Sequence, residues 1–254
     1  MNSAFQRGII IQARTGSTRL PLKMLLPFYK EMSLIEVLLQ RLVNGRFNVP
    51  IILATSNKEQ DDKLASLAKS YGINIFRGDE IDVLNRFVGA AESFGVDYLI
   101  RICADNPFLS LAGIRELLRS NIKNQYDYVT YRIDKTPVIK THFGFWAEGV
   151  STQALRQIGR DSTSVSDHEH VTKYIYENPD RFSINWLTLP DNLDLSDKIR
   201  LTVDTPIDFA IAKEIFEHTY RKEKDLTVSQ VVKFLKSNPD YLGRMKGQMI
   251  NNEK

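Results

Sequence analysis

Three stretches of this sequence combine residue types that handle charge. The first is Gln12-Ala13-Arg14-Thr15-Gly16-Ser17-Thr18-Arg19-Leu20-Pro21-Leu22-Lys23. Arg14, Arg19 and Lys23 supply positive charge, Ser17 and Thr18 supply hydroxyls, and Gly16 lets the backbone approach a ligand closely, a set suited to polyphosphate oxygens. Residues 1–30 carry five basic side chains and no acidic one, so an anion is the expected guest. With Gly16 as its sole glycine, the stretch matches neither the G-x-x-x-x-G-K-[ST] loop nor G-x-G-x-x-G. By spacing alone it also reads as a solvated basic loop.

The second stretch is a pair of acids. Asp105 follows the apolar run Tyr98–Cys103 and Asp204 follows Ile199–Val203, so both stand just past expected core strands, where wound sheets bind ligands. If those strands are neighbours, the two carboxylates can share a Mg²⁺ that also takes phosphate oxygens. Each also has a local reading: Asp105 opens the turn at Asn106-Pro107, and Asp204 caps the helix after Thr205. The third stretch, His168-Glu169-His170, looks like a metal motif, but residues two apart on a helix do not share a face and H-E-x-x-H is absent. These histidines read as structural, on a helix over 167–176 capped by Asp167.

The elements that must position these groups follow an alternating βα rhythm, the pattern of a wound α/β domain. Strands are expected at 8–12, 50–54, 73–76 and 98–103, with helices at 33–44, 60–71, 83–94 and 110–121. Ser33 with Glu36 forms a capping-box pattern, and Ser110 can cap the helix after Asp105-Asn106-Pro107. Further on, strands are expected at 126–131, 182–189 and 198–203, and helices at 151–158 and 206–220, the last opening on a proline at N1. Phe143, Phe145 and Trp146 read as core or dimer interface. No linker or repeat interrupts the chain, so residues 1–254 read as one domain with two functional halves (1–121 and 122–220) and a basic helical tail (221–254).

Composition narrows the function classes. The chain has 254 residues, 43% of them hydrophobic, and a formal net charge of +3. The excess lies in residues 221–254, which hold eight basic and four acidic residues. Such a tail reads as a solvated helix or frayed end, and nucleic acid is not the expected partner. One cysteine, Cys103, excludes a disulfide scaffold and a multi-thiolate zinc site and suits a reducing cytoplasm. No apolar run is long enough to span a membrane, and no signal peptide is evident.

Five motifs in register then give a family resemblance over residues 8–216. They are Gln12 to Lys23, Phe76-Arg77-Gly78-Asp79-Glu80-Ile81-Asp82-Val83-Leu84, Arg101-Ile102-Cys103-Ala104-Asp105-Asn106-Pro107, His168-Glu169-His170-Val171-Thr172, and Leu201-Thr202-Val203-Asp204-Thr205-Pro206. Together they resemble the cytidylyltransferase family, its spore-coat polysaccharide biosynthesis protein F branch, related to CMP-KDO and CMP-acylneuraminate synthetases. The resemblance implies a Rossmann-like nucleotidyltransferase of the glycosyltransferase-A type, with a mostly parallel mixed central sheet flanked by helices. It implies a reaction joining CTP to a sugar or other small acceptor with release of pyrophosphate, for surface glycan synthesis. Carried over by residue, Arg14, Arg19 and Lys23 hold the phosphates with Gly16 and Ser17, Asp105 and Asp204 hold Mg²⁺, and Ala13, Gly78, Asp82 and Ala104 line the nucleotide site. Arg14, Lys23 and Asp105 are the expected catalytic set. Related enzymes dimerise through the second half, which implies a homodimer.

The sequence departs from the family pattern in three places. Leu22 stands where glycine is usual, which can shift Lys23. Cys103-Ala104 replaces Thr-Gly, adding a Cβ beside the nucleotide. The segment 131–149 follows no assignable pattern; from it His142 and Glu148, the latter roughly aligned with a family acid, are taken with Arg101 as acceptor-binding residues. Two alternatives stay open: a CTP-binding protein with little catalysis, and a glycosyltransferase using a nucleotide-sugar. For the latter, Asp191 to Asp194 has the wrong spacing for D-x-D.

Overall fold

Residues 5–189 except 122 and 124, residue 193, and residues 198–251 except 222–224 are described by the computed structural model. In chain order the strands are β1 (Arg7–Gln12), β2 (Pro27–Tyr29), β3 (Met32–Ser33), β4 (Ile51–Ser56), β5 (Asn74–Gly78), β6 (Tyr98–Cys103), β7 (Tyr128–Ile133), β8 (Thr136–Pro137), β9 (Glu148–Ser151) and β10 (Ile184–Thr188). The helices are α1 (Leu34–Asn44), α2 (Asp62–Ser70), α3 (Val83–Ser93), α4 (Leu111–Ser120), α5 (Thr152–Asp161), α6 (Val165–His170), α7 (Lys173–Glu177), α8 (Pro206–Thr219), α9 (Val228–Ser237) and α10 (Pro239–Asn251).

Period-two alternation in the strands assigns residues to two apolar layers. Ile9 and Ile11 of β1, and Tyr98, Ile100 and Ile102 of β6, enter one cluster with α1, α4 and α8; Ile10 and Leu99 enter the other with α3 and α5. Helices thus cover both faces of a sheet ordered β10-β7-β9-β6-β1-β4-β5, with β8 paired to β7. The β1, β4, β5 and β6 pairings are parallel, as is β7 with β10, whereas β9 runs antiparallel to β6 and β7. The expected mostly parallel mixed sheet is present. β2 and β3 form a separate small hairpin.

Caps fix where the helices begin. Ser33 and Glu36 exchange hydrogen bonds in a capping box at α1, Ser110 accepts from Gly113 N–H at α4, and Thr205 with Asp208 forms a second box at α8. Asp204 is therefore not the cap, and its carboxylate is available to the site.

Three expectations change. The segment 198–203 is not a strand: the N–H groups of Leu201 and Thr202 donate to the His142 carbonyl and that of Val203 to the Asp105 carbonyl, so its partners are loops. The helix over 167–176 is two helices, broken at Val171, whose φ of 51° sits in a tight turn closed by Thr172 N–H to His170 O. Ser164 is the N-cap of α6, and Asp167 lies in its first turn, accepting from the Ser162 hydroxyl. In the tail, α9 and α10 are not solvated throughout, because Val231, Leu235 and Met245 join the larger core cluster. Asp191 and Asp194 lie outside the described residues. No described helix is long and apolar enough to cross a membrane.

Candidate active site

The C-terminal ends of β1, β4, β5 and β6 converge on the loop 13–22. Thr15 is its hub. Its N–H and Oγ1–H both donate to Asp61 Oδ1, at 2.7 and 2.6 Å, and its carbonyl accepts from the N–H groups of Ser17 and Leu22. Among the described residues the N–H groups of Gly16, Thr18, Arg19 and Leu20 make no hydrogen bond within the protein. Unspent N–H groups on a turning backbone can serve as an anion cradle. A Cβ on Gly16 would stand 2.6 Å from Glu80 Oε1, so the Glu80 side chain would have to swing aside. The Glu80 carboxylate, 4.0 Å from Arg14, is an internal anion lying over this loop.

Lys23 is the best-placed cation. Its Nζ lies 3.1 Å from Asp105 Oδ2 and 4.0 Å from Asp204 Oδ1, and donates to the Val203 carbonyl at 2.7 Å. Arg19 reaches across to Asp204 Oδ1 at 2.9 Å, and Arg200 donates to Asp204 Oδ2 at 3.0 Å. The fold therefore brings Asp105 and Asp204 to one ammonium, and the backbone bond from Val203 to Asp105 locks the two segments together. Asp208 anchors Arg200 with two further bonds. Burial pushes the Asp208 carboxyl up, but its bonds from Arg200 and the N–H of Thr205 outweigh that and hold it below the usual carboxylate range.

Leu22 adopts φ 57°, ψ 18°, a left-handed conformation that glycine occupies without cost. Leucine accepts it with a half-exposed side chain, so Lys23 is not shifted away from the carboxylates. Ala13 and Ala104 are buried, and their side chains join the larger core cluster. At these two positions little of the side chain is exposed, 3% for Ala13 and 2% for Ala104.

On the β5 side a cleft of about 460 Å³ is lined by Gly78, Asp82, Asn85, Arg86, Val165 and His168, among others. Asp82 caps α3 through Asn85 N–H and faces His168 Nδ1 at 2.9 Å. His168 thus has a structural bond and also borders the cleft. Burial acts to lower its pKa, but the bonds to Asp82 and the Ser162 carbonyl raise it. Arg86, which the sequence reading missed, is buried under the 79–80 backbone, where it shares the Glu80 carbonyl with Arg14. Its Nε and Nη2 have no hydrogen-bond partner among the described residues.

On the other side, a cavity of about 90 Å³ adjoins Asp105 and Asp204, with Cys103, Asn106, Thr141 and Trp146 in its wall. Arg101, His142 and Glu148 are not among the residues lining these two cavities. Arg101 and Glu148, 6% and 1% exposed, form a buried ion pair at 2.7 Å. Glu148 also accepts from Tyr128 and from Thr172, and Arg101 donates to Gln12 Oε1. His142 accepts from Arg200 at 2.5 Å. Phe143, Phe145 and Trp146 are core residues. Among the described residues no three His, Cys, Asp or Glu side chains gather as a metal site.

A twisted sheet wound on both sides, with a cationic anion cradle after its first strand and two carboxylates facing it, is the arrangement of a nucleotidyltransferase. A family model described as cytidylyltransferase matches residues 8–237, and the chain belongs to the cytidylyltransferase family, whose members are CTP-dependent nucleotidyltransferases. It is 33% identical over 236 residues to the spore coat polysaccharide biosynthesis protein SpsF of Bacillus subtilis, covering 91% of this chain and 94% of that one. A Methanocaldococcus jannaschii protein, MJ1063, is 37% identical over 230 residues, 91% of this chain and 90% of its own. A cytidylyltransferase from Leptospira borgpetersenii superposes with a TM-score of 0.82 at 28% identity, over 94% of this chain and 97% of that one. CMP-2-keto-3-deoxy-manno-octonic acid synthetase complexed with CTP shares the fold, with a TM-score of 0.63 at 14% identity, over 85% and 100% of the two chains.

Proposed function

We propose that this protein transfers the cytidylyl group of CTP to a hydroxyl of a sugar or related small acceptor, releasing pyrophosphate, to make an activated precursor for surface polysaccharide. The observation that carries this is Lys23 held between Asp105 and Asp204 opposite the Gly16 cradle. The relationship to SpsF supports the polysaccharide role.

In this reading the triphosphate displaces Glu80 from the cradle and takes the free N–H groups, with Arg14 and Arg19 closing on it. Lys23 stands where charge grows as the pyrophosphate departs. Transfer of this kind asks a protein for position and charge neutralisation more than covalent chemistry. The acceptor oxygen approaches the α-phosphorus from the small cavity beside Asp105. The nucleoside occupies the cleft between Gly78 and His168.

Asp105 and Asp204 fit Mg²⁺ by donor chemistry: two hard carboxylates, with phosphate oxygens needed to complete the shell, the usual manner of Mg²⁺ at nucleotide sites. When bound, the ion would supply further charge on the phosphates. Homodimerisation through the second half, whose strand β10 ends one side of the sheet, belongs to the same proposal. The test is pyrophosphate release over an acceptor panel with and without Mg²⁺. Asp105→Ala and Asp204→Ala should each remove most turnover in a folded protein; near-normal turnover in both would overturn the assignment.

A further inference from the structure

The chemistry of the cradle depends on a loop shape that its own residues do not fix. Between Ala13 and Leu22 the loop's internal bonds run through one residue, Thr15, whose carbonyl receives Ser17 N–H at 2.8 Å and Leu22 N–H at 3.4 Å. What holds Thr15 lies outside the loop. The Asp61 carboxylate, fully buried after β4, takes both Thr15 donors on Oδ1. Its Oδ2 takes Ser56 N–H at 3.3 Å and Ser56 Oγ–H at 2.5 Å. One carboxylate thus bolts the first loop of the sheet to the end of the neighbouring strand through four hydrogen bonds.

A carboxylate suits this place because it only accepts, and four donors converge on it. A buried ionised group is costly unless its oxygens are filled, and here both are. The arrangement leaves the N–H groups of Gly16, Thr18, Arg19 and Leu20 unspent, because Thr15 is saturated and the loop has no reason to fold onto itself. No motif identified in the sequence includes Asp61, and Asp61 does not line the cleft between Gly78 and His168.

We infer that Asp61 is the positioning residue of the nucleotide loop: it sets the geometry of the anion cradle through Thr15 without touching the ligand. This rests on the reading of loop 13–22 as the CTP phosphate site.

The Asp61 carboxylate offers its own control, because its two oxygens serve different segments. Thr15→Val and Ser56→Ala each delete one hydroxyl bound to it, the first on the loop and the second on the strand. Calorimetric titration of CTP with Mg²⁺, alongside thermal unfolding, separates position from stability. Asp61→Ala should weaken CTP binding at least tenfold, equivalent to about 1.4 kcal/mol. Thr15→Val should weaken it about threefold, while Ser56→Ala, which leaves both Thr15 donors on Oδ1 and Ser56 N–H on Oδ2, should lose less affinity than Thr15→Val at a comparable loss of Tm. Asp61→Asn, which keeps one oxygen for Thr15, should recover affinity relative to Asp61→Ala. CTP affinity in Asp61→Ala and Thr15→Val within twofold of wild type overturns the inference, as does an equal loss in Ser56→Ala and Thr15→Val. If Asp61→Ala does not fold, the Thr15 and Ser56 pair decides. Wild-type protein without affinity for CTP refutes the reading of the loop itself, a result distinct from any difference among the variants.

Discussion

Replacing Arg101 by methionine keeps an unbranched apolar stem and removes the guanidinium with its charge. Glu148 is then left with Tyr128 and Thr172 as donors and no cation, at 1% exposure. Stripping one partner from a buried ion pair costs about 3–5 kcal/mol, because the remaining charge is desolvated and uncompensated. For a chain of this size each kcal/mol moves Tm by about 2–4 °C, so Arg101→Met should lower Tm by roughly 6–20 °C. Neutralising the second partner as well should relieve part of that loss. Arg101→Met with Glu148→Gln should recover about 1–2 kcal/mol, a coupling within the range of contacting residues. Scanning calorimetry on both variants and Glu148→Gln completes the cycle. An Arg101→Met loss below about 1 kcal/mol, or a double variant less stable than the sum of the singles, refutes the reasoning.

Lys23→Met should fold, because Asp105 is partly open to solvent, yet turnover should fall by about 10²–10³, the effect of deleting one group aimed at developing charge; steady-state pyrophosphate release measures it. Leu22→Gly should raise stability by about 1 kcal/mol, because it relieves a left-handed leucine, without weakening CTP binding; a lower Tm would show that the leucine side chain matters more than its φ. Asp61 and Asp208 both have carboxyls held below the ordinary value of 3.8, so their stabilisation is present above that pH and lost as pH falls through the lowered folded values. Asp208→Asn should therefore flatten the acid limb of stability against pH. His168 has the opposite sign: its pKa is raised above 6.5, so its contribution is complete below that pH and lost as pH rises through the raised value. His168→Gln should remove that slope and leave the acid limb unchanged.

The parallel strands were legible because their apolar runs are short, buried on both faces and followed by capped helices. β6 matches residue for residue, and α1 and α4 begin where Ser33 and Ser110 place them. Segment 198–203 misled because it alternates as a strand does. Ile199, Leu201 and Val203 enter the core while Arg200, Thr202 and Asp204 serve the site, and the pattern does not say whether the backbone partners are strands or loops. Val171 gives no local sign of a positive φ, so the break between α6 and α7 was invisible. The tail shows Val228, Val231, Val232 and Leu235 at helical spacing, yet its charge count hid that face.

In the site, Lys23 and the two aspartates were readable from type and position, since strand ends of a wound sheet converge whatever their separation in sequence. Asp61 and Arg86 were not. An acid before α2 looks like any first-turn carboxylate, and an arginine in α3 looks like a solvated one until the tertiary fold buries it. Arg101 and Glu148 drew attention by type, but only register places them opposite each other across β6 and β9.

The central claim is that the cradle and the Lys23 cluster hold CTP. Calorimetric titration of CTP, UTP, GTP and ATP with Mg²⁺ tests it most directly. Selective CTP binding that is lost on Lys23→Met is the predicted result; preference for another nucleotide, or no binding by the folded wild-type protein, contradicts it.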